Sequence, residues 1–246
     1  MSTINILISG IDAIVSAIFA IAVFRQYAAR RKMHQLMWGI AIAIWAIAVA
    51  AELAATLRGR WGMITYRAYY ATGALLIPAW LGMGTLYLIL SKRFNDVVLG
   101  ILSLLSAIGI LLIAFWPIDS TLLYSVGAGQ VPLRVFPFFP IQLILIILNT
   151  LGALAFILGA LWSVALFAWK RQNRERAIAT ALIAIGGIIA AVAHSVGVLS
   201  GIELFRLSEL IAVVFIFVGY LLSNIPAPQA AKNNIAARDI LSLDCQ

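Results

Sequence analysis

Cysteine and charge are both scarce in this sequence of 246 residues. Its single cysteine, Cys245, lies next to the C-terminal residue, which excludes an intramolecular disulfide, a cysteine-based metal site and a dithiol redox motif. Charged residues make up only 11% of the chain and hydrophobic residues 64%, whereas about half of a soluble domain is apolar. With so few polar side chains the protein cannot be a soluble globule, and most of its surface must face lipid.

Acidic residues are the rarer charged type, since 9 Asp and Glu stand against 17 Lys and Arg and leave a formal net charge of +8. In a soluble protein such an excess would suggest a nucleic-acid partner. Here the basic residues fall mostly in short clusters between apolar stretches, where Lys and Arg set the orientation of membrane helices. The sequence therefore indicates a lipid bilayer, and not nucleic acid, as the partner of this chain.

Seven apolar stretches are long enough to cross a bilayer, which takes about 20 helical residues. The start of the chain lacks the basic n-region of a cleavable signal peptide, so the first stretch is predicted to stay as the first helix. We predict an all-α, polytopic membrane protein with a seven-helix domain over residues 1–225 and a short tail over residues 226–246. The predicted helices are Ile4 to Phe24, Leu36 to Leu57, Tyr69 to Leu90, Val97 to Trp116, Ile141 to Trp169, Ala177 to Leu199 and Leu207 to Ile225.

The basic residues are divided unequally between the two sides of these helices. The five on one side are Arg58, Arg60, Arg67, Arg134 and Arg206. The twelve on the other side are Arg25, Arg30, Arg31, Lys32, Lys92, Arg93, Lys170, Arg171, Arg174, Arg176, Lys232 and Arg238. Because the side richer in Lys and Arg stays in the cytoplasm, we predict a multi-pass protein of the plasma membrane with its N-terminus outside and its C-terminus inside.

The arrangement of the helices suggests a three, one, three pseudo-repeat. Helices one to three and five to seven run in the same direction, and their polar positions correspond. The pairs are Asp12 with Asn149, Glu52 with His194, and Arg67 and Tyr70 with Arg206 and Glu209. The almost wholly Leu, Ile and Val helix four is expected at the periphery, and the Ala- and Gly-rich helix six at the bundle centre.

Two further features carry structural predictions. Pro78 lies in the middle of helix three, where it should free a backbone carbonyl and permit a kink. The long loop over residues 117–140 is predicted to be external, and its residues Phe136, Phe138 and Phe139 indicate that it lies on the membrane surface or caps the bundle.

Polar side chains inside the predicted helices are few, and an ionisable one costs about 2.5 to 3.5 kcal/mol at the bilayer centre. Glu52 follows Trp38 and Trp45 at intervals of seven residues, which would aim its carboxylate inward along an aromatic stripe. The candidates all lie in the outer half of the predicted bundle. We expect them to form an outward-facing, ligand-binding polar pocket of Asp12, Glu52, Arg67, Tyr70, Asn149, His194 and Glu209.

Two other interpretations of these residues stay open. They could form an interhelical network that only determines the packing, in which Glu52 is paired with Arg67 or His194. They could also transfer a proton or an ion, and Asp12 is then the expected coupling group.

No cofactor or metal is expected. Retinal needs a lysine inside a helix, and all four lysines fall in predicted loops or the tail. His34 is predicted at the cytoplasmic end of helix two and His194 at the outer end of helix six, so they cannot share a haem. Glu52, His194 and Glu209 are too few to predict a metal hydrolase, so no enzymatic activity is expected.

The residues from Met33 to Leu90 carry a family resemblance. A basic loop is followed by Trp45, Glu52, Arg67, Tyr70, Gly73, Pro78-Ala79-Trp80-Leu81 and Tyr87. This pattern resembles the N-terminal seven-helix sensory region of bacterial histidine kinases, and the whole chain is also similar to stand-alone bacterial seven-helix membrane proteins. The resemblance implies that the region perceives a signal at or in the membrane and passes it on to cytoplasmic domains. Since no kinase domain follows the last predicted helix, signalling is expected to pass through a separate partner.

The sequence thus predicts a receptor-like or sensory membrane protein that takes a small-molecule ligand and signals through a membrane or cytoplasmic protein. A small-solute or proton-coupled transporter that uses the same cavity is the first alternative. The second is an accessory subunit that packs against a larger membrane complex.

Overall fold

The described part of the chain contains seven helices that are long and apolar enough to cross a membrane, which confirms the predicted all-α, polytopic architecture. The structure is a computed structural model that describes residues 3–125, 131–132, 135–169, 174–200 and 202–224; for residues 168, 174, 194–200 and 202–205 it describes the backbone alone. The predicted tail, residues 226–246, lies outside the described residues. The helices are α1 (Thr3–Arg30), α2 (Met33–Arg58), α3 (Met63–Ile89), α4 (Lys92–Phe115), α5 (Leu143–Trp169), α6 (Arg174–Ser200) and α7 (Ile202–Ser223).

Several helices are longer than the apolar stretches that predict them. Helix α1 continues past Phe24 to Arg30, and α3 begins at Met63 instead of Tyr69. The reason is that a helix satisfies its backbone hydrogen bonds locally, so it can continue into polar flanking sequence once the apolar part has formed. Hydropathy therefore predicts the lipid-facing part of each helix, but it does not predict the residues at which the helix begins and ends.

Six of the helices form a closed ring, and the fourth lies outside it. Around the ring α1 packs on α2, α2 on α3, α3 on α5, α5 on α6, α6 on α7, and α7 back on α1. Helix α4 packs mainly on the outer side of α3 and touches α5. The peripheral position predicted for this helix is therefore confirmed.

The prediction that helix six occupies the bundle centre is wrong, because α6 lies in the wall of the ring between α5 and α7. Its small residues do permit close packing as expected. A Cβ atom on Gly186 would come within 2.7 Å of the Ala212 carbonyl oxygen of α7, and one on Gly219 within 2.5 Å of the Ala179 carbonyl oxygen of α6. Small residues thus bring two neighbouring backbones together without requiring a central position.

Helix α3 changes its hydrogen-bonding pattern in mid-course. It is α-helical over Met63–Tyr69, π-helical over Tyr70–Leu76 and α-helical again over Ile77–Ile89. Pro78 has no N–H group and leaves the Ala74 carbonyl four residues earlier without its helical donor. The Asn149 side chain of α5 donates to that oxygen over 2.7 Å, which confirms the predicted free carbonyl and identifies its partner.

The two ends of the bundle differ in character. At the end that we call the aromatic end, Trp61, Tyr66, Tyr69, Tyr70 and Phe136 pack ring against ring between the α2–α3 turn and the segment before α5. The opposite end carries the α1–α2 turn with Arg31 and Lys32 and is called the basic end. The predicted orientation would place the aromatic end outside the cell.

The described part of the 117–140 loop covers the aromatic end. Phe136 is buried against Tyr66 and Tyr70, whereas Phe138 and Phe139 are 62% and 71% exposed. Asp119 begins the short helix Ser120–Tyr124, and donation from the Thr121 hydroxyl and from the Leu122 amide holds the pKa of Asp119 below its usual range. The capping role predicted for this loop is confirmed for these residues.

Candidate functional site

A buried ion pair joins two helices near the aromatic end. The Arg206 Nε of α7 lies 2.9 Å from the Glu52 Oε1 of α2, and both residues are only 2% exposed. The same guanidinium donates through Nη1 to the Ser9 hydroxyl of α1 and to the Thr56 hydroxyl of α2, each over 3.0 Å. Arg206 therefore connects three helices of the ring through one side chain.

Two further carboxyl groups lie close to this pair. Asp12 of α1 is 3% exposed and accepts a hydrogen bond of 2.9 Å from the Ser16 hydroxyl. The charges of Asp12 and Glu52 are near enough to act on each other, and Glu209 of α7 is within electrostatic reach of both and of Arg206. We call Asp12, Glu52, Arg206 and Glu209 the charged cluster.

Helical spacing explains why the members of the charged cluster face one another. Ser9, Asp12 and Ser16 recur at intervals of three and four residues, so they line one face of α1. Arg206 and Glu209 are three residues apart on α7, and Glu52 and Thr56 four apart on α2. Each helix thus presents one polar stripe to the interior, with its other faces left to apolar neighbours and lipid.

Protonation is the chemistry for which the charged cluster is suited. Three carboxyl groups and one guanidinium are neutral together only if two of the carboxyl groups carry a proton. A charge left uncompensated in an apolar interior is costly, so any change in protonation or any bound ion alters the forces between α1, α2 and α7. Among the described residues, no group of three His, Cys, Asp or Glu side chains is placed to hold a metal ion.

The aromatic residues form one boundary of the charged cluster. Tyr69 is buried and interacts electrostatically with Glu209 and Glu52, and its ring lies 5.1 Å from that of Trp61. Tyr66 is also buried, and its hydroxyl donates to the Pro132 carbonyl over 2.8 Å. The cluster is therefore covered by aromatic rings toward the aromatic end.

Apolar side chains form the boundary toward the basic end. Phe19 and Val23 of α1 follow Asp12 by about two and three helical turns and are buried. The Phe19 ring stacks on Phe217 of α7 with a centroid separation of 4.8 Å, and Ile42 and Trp45 of α2 are buried as well. The interior of α1, α2 and α7 is thus packed with apolar groups between the charged cluster and the basic end.

The structure brings together only part of the predicted pocket. Asp12, Glu52 and Glu209 meet as expected, and Glu52 is paired as predicted. Its partner is Arg206, however, so the proposed pairing with Arg67 is wrong. The backbone of His194 lies on α6, and its side chain, with the predicted pairing to Glu52, lies outside the described residues.

Arg67, Tyr70 and Asn149 serve other contacts. Arg67 donates through Nη1 to the Ile113 carbonyl and through Nη2 to the Trp116 carbonyl over 2.8 Å, both at the end of α4. Tyr70 packs against Phe136 at the aromatic end, and Asn149 binds the carbonyl freed by Pro78. These three residues connect α3 to its neighbours and are not part of the charged cluster.

Arg206 is the principal residue that the sequence analysis missed as a site member. It begins the apolar part of α7, one residue before the predicted helix, where the charge pattern places it among the loop residues that orient the chain. The signal that could have identified it is its spacing of three residues from Glu209, which places both on one helix face with a cation next to a carboxylate.

A surface groove lies elsewhere. It measures about 470 Å³ and runs along one flank of α4 near the aromatic end. Its lining is Ile108, Leu111, Leu112, Phe115, Trp116 and Pro117. The groove is apolar, so it does not correspond to the predicted polar pocket.

No protein-family model, curated protein or solved structure matches this chain. The resemblance to the sensory region of histidine kinases therefore stays a prediction that rests on residues Met33 to Leu90. Within that stretch Trp45 and Glu52 are buried on the inner face of α2, whereas Arg67 and Tyr70 support the aromatic end.

Proposed function

We propose that this chain is a receptor-like sensor of the plasma membrane, in which the charged cluster is the element that a signal perturbs. The observation that carries the proposal is the position of the cluster. It lies buried in one half of the bundle, connects α1, α2 and α7 through Arg206, and is separated from the basic end by packed apolar side chains.

A sensor needs two arrangements that differ in energy by an amount that a ligand or a proton can supply. Breaking a buried ion pair by removing one partner typically costs about 3 to 5 kcal/mol. A shift of about 5.5 kcal/mol would carry a two-state equilibrium from 1:99 to 99:1, so the Glu52–Arg206 pair would supply more than half of such a shift. Loss of this ion pair would weaken the contacts among α1, α2 and α7. A separate protein partner would then bind the ends of these helices at the basic end and respond to their altered positions.

A proton-coupled transporter is the second candidate, and the three carboxyl groups of the charged cluster favour it. Transport also requires access to the site from both sides of the membrane. Phe19, Val23 and Ile42 fill the interior on the side of the basic end, which supports a sensor over a transporter. The accessory-subunit alternative has less support, because Gly186 and Gly219 pack against neighbouring helices of the same chain.

Proton movement separates the two leading candidates. The protein would be reconstituted in vesicles that contain a pH-sensitive dye, and the internal pH would be followed after a step in external pH. For a sensor we expect the same leak as in protein-free vesicles, both for the native chain and for Asp12→Asn. A proton flux that the native chain supports and Asp12→Asn abolishes would overturn the sensor proposal in favour of transport.

Helix movement tests the sensor directly. Spin labels would be attached at Arg25 of α1 and Leu221 of α7, two exposed positions toward the basic end, in a Cys245→Ser background. Glu52→Gln removes the carboxylate that pairs with Arg206 and should change the distance distribution between the labels, because the ion pair between α7 and α2 is lost. Lys92→Gln, which breaks an exposed ion pair with Asp96 on α4, is the matched control and should leave it unchanged. Identical distributions in the native chain and Glu52→Gln would contradict the proposal.

A further inference from the structure

The groove on α4 combines an apolar surface with a position at the end of a membrane helix. Ile108, Leu111, Leu112 and Phe115 recur at intervals of three, one and three residues, so they form one continuous stripe of α4. The stripe ends at Trp116, and tryptophan is enriched where membrane helices reach the headgroup level of lipids. The groove has a volume of about 470 Å³ and opens outward, since Leu111 and Phe115 are 57% and 81% exposed.

A cation lies next to Trp116, at one end of this groove. The Arg67 guanidinium is half-buried and donates to the carbonyl oxygens of Ile113 and Trp116, and Trp116 itself lines the groove. It lies over the Phe136 ring at 6.0 Å from the ring centroid. A guanidinium has five N–H donors, and these two carbonyls take two of them.

Arg67 lies near the end of a membrane-length helix, where lipid headgroups are expected. Arg67 is the fifth residue of α3 and thus about 6 Å from the start of the helix, beside the last turn of α4. Asp119, in the loop that follows α4, already uses its carboxylate to accept from the Thr121 hydroxyl and the Leu122 amide. Arginine is well suited to bind phosphate, because its fork of donors can make parallel hydrogen bonds to two phosphate oxygens.

We propose that Arg67 and the α4 groove together bind one anionic glycerophospholipid, with its phosphate on the guanidinium and one acyl chain along the groove. The charge of Arg67 selects the phosphate and the apolar stripe selects the chain, so neither a free phosphate nor an uncharged lipid satisfies both parts of the site. The site does not involve the charged cluster and is independent of the proposed sensory function.

Binding can be measured by native mass spectrometry of the protein in a neutral detergent, with phosphatidylglycerol as the probe. The native chain should retain one tightly held lipid. Arg67→Gln should weaken it by about tenfold or more, since a hydrogen bond to a charged group is lost. Arg60→Gln removes an exposed arginine at the same end and should bind as the native chain does.

The groove has its own matched pair of variants. Leu111→Gln places a polar group in the groove, whereas Leu104→Gln makes the same change seven residues earlier on the same face of α4 and outside the groove. Leu111→Gln should reduce binding several-fold relative to Leu104→Gln. This comparison stays informative if Arg67→Gln proves unstable.

Three results would overturn the proposal. The first is equal retention of phosphatidylglycerol by Arg67→Gln and the native chain, and the second is equal binding by the two leucine variants. The third is complete displacement of the lipid by glycerol phosphate, which would show that the acyl chain contributes nothing. Weaker retention of phosphatidylcholine than of phosphatidylglycerol would support the predicted preference for an anionic headgroup.

Discussion

Removing Arg206 should destabilise the protein more than any exposed charge substitution. In Arg206→Gln the Glu52 carboxylate loses its cation, and the hydroxyl groups of Ser9 and Thr56 lose a donor. Breaking a buried ion pair from one side costs about 3 to 5 kcal/mol. The two hydrogen bonds to hydroxyl groups add about 1 kcal/mol, because such bonds average about 0.6 kcal/mol in a membrane protein.

The free energy of unfolding is measured by titrating the detergent-solubilised protein with a denaturing detergent and following tryptophan fluorescence. A loss of this size corresponds to a fall in Tm on the order of 10 °C for a chain of this length. Lys92→Gln provides the comparison. It breaks an ion pair of 2.6 Å whose side chains are 78% and 44% exposed, and an exposed pair contributes about 0 to 1 kcal/mol.

A double-mutant cycle distinguishes the ion pair from a general loss of packing. The combination of Glu52→Gln with Arg206→Gln should cost less than the sum of the single changes, by about 0.5 to 3 kcal/mol, because the second change removes a charge that the first has already left alone. If Arg206→Gln costs no more than Lys92→Gln, or if the two changes in the cycle add without coupling, the role assigned to Arg206 is wrong.

Three shorter predictions test the rest of the structure. A reporter fused after Lys92 should read as cytoplasmic and one near Gln130 as external, and the reverse would contradict the orientation drawn from the basic residues. Asn149→Leu should lower the free energy of unfolding by about 1 to 3 kcal/mol, because it leaves the carbonyl freed by the helix-three proline without a donor; an unchanged unfolding curve would refute that role. Gly152→Ala places a Cβ atom 2.4 Å from a backbone oxygen of α3 and should cost about 1 to 3 kcal/mol, whereas Gly100→Ala meets nothing within 4 Å and should not destabilise.

Predictions that depend on the lipid environment of a single helix agree with the structure. The seven helices and the peripheral place of α4 follow from apolar length and from the lack of polar side chains in α4. The free carbonyl before Pro78 follows from the covalent structure of proline. The prediction that Glu52 is paired follows from the cost of an isolated buried charge.

Predictions that depend on which helices are neighbours agree less well. Arg67 was expected to pair with Glu52 but binds the carbonyl oxygens at the end of α4. Which arginine pairs with Glu52 depends on the rotation of each helix about its axis and on the order of the helices around the ring. Both α3 and α7 bring an arginine to the aromatic end, and nothing local in the sequence distinguishes them.

The sequence by itself determined that this chain crosses a membrane as seven helices, because in lipid every backbone N–H and C=O must be bonded within the chain and an apolar stretch of about 20 residues does so as a helix. It also determined that the few buried carboxyl groups need partners. Only the tertiary structure decided that Arg206 joins Glu52, Ser9 and Thr56, since these residues come from three helices that meet when the ring closes. Lipid contacts all outward faces with similar energy, so the order and rotation of the helices are determined by close packing and by polar contacts between them.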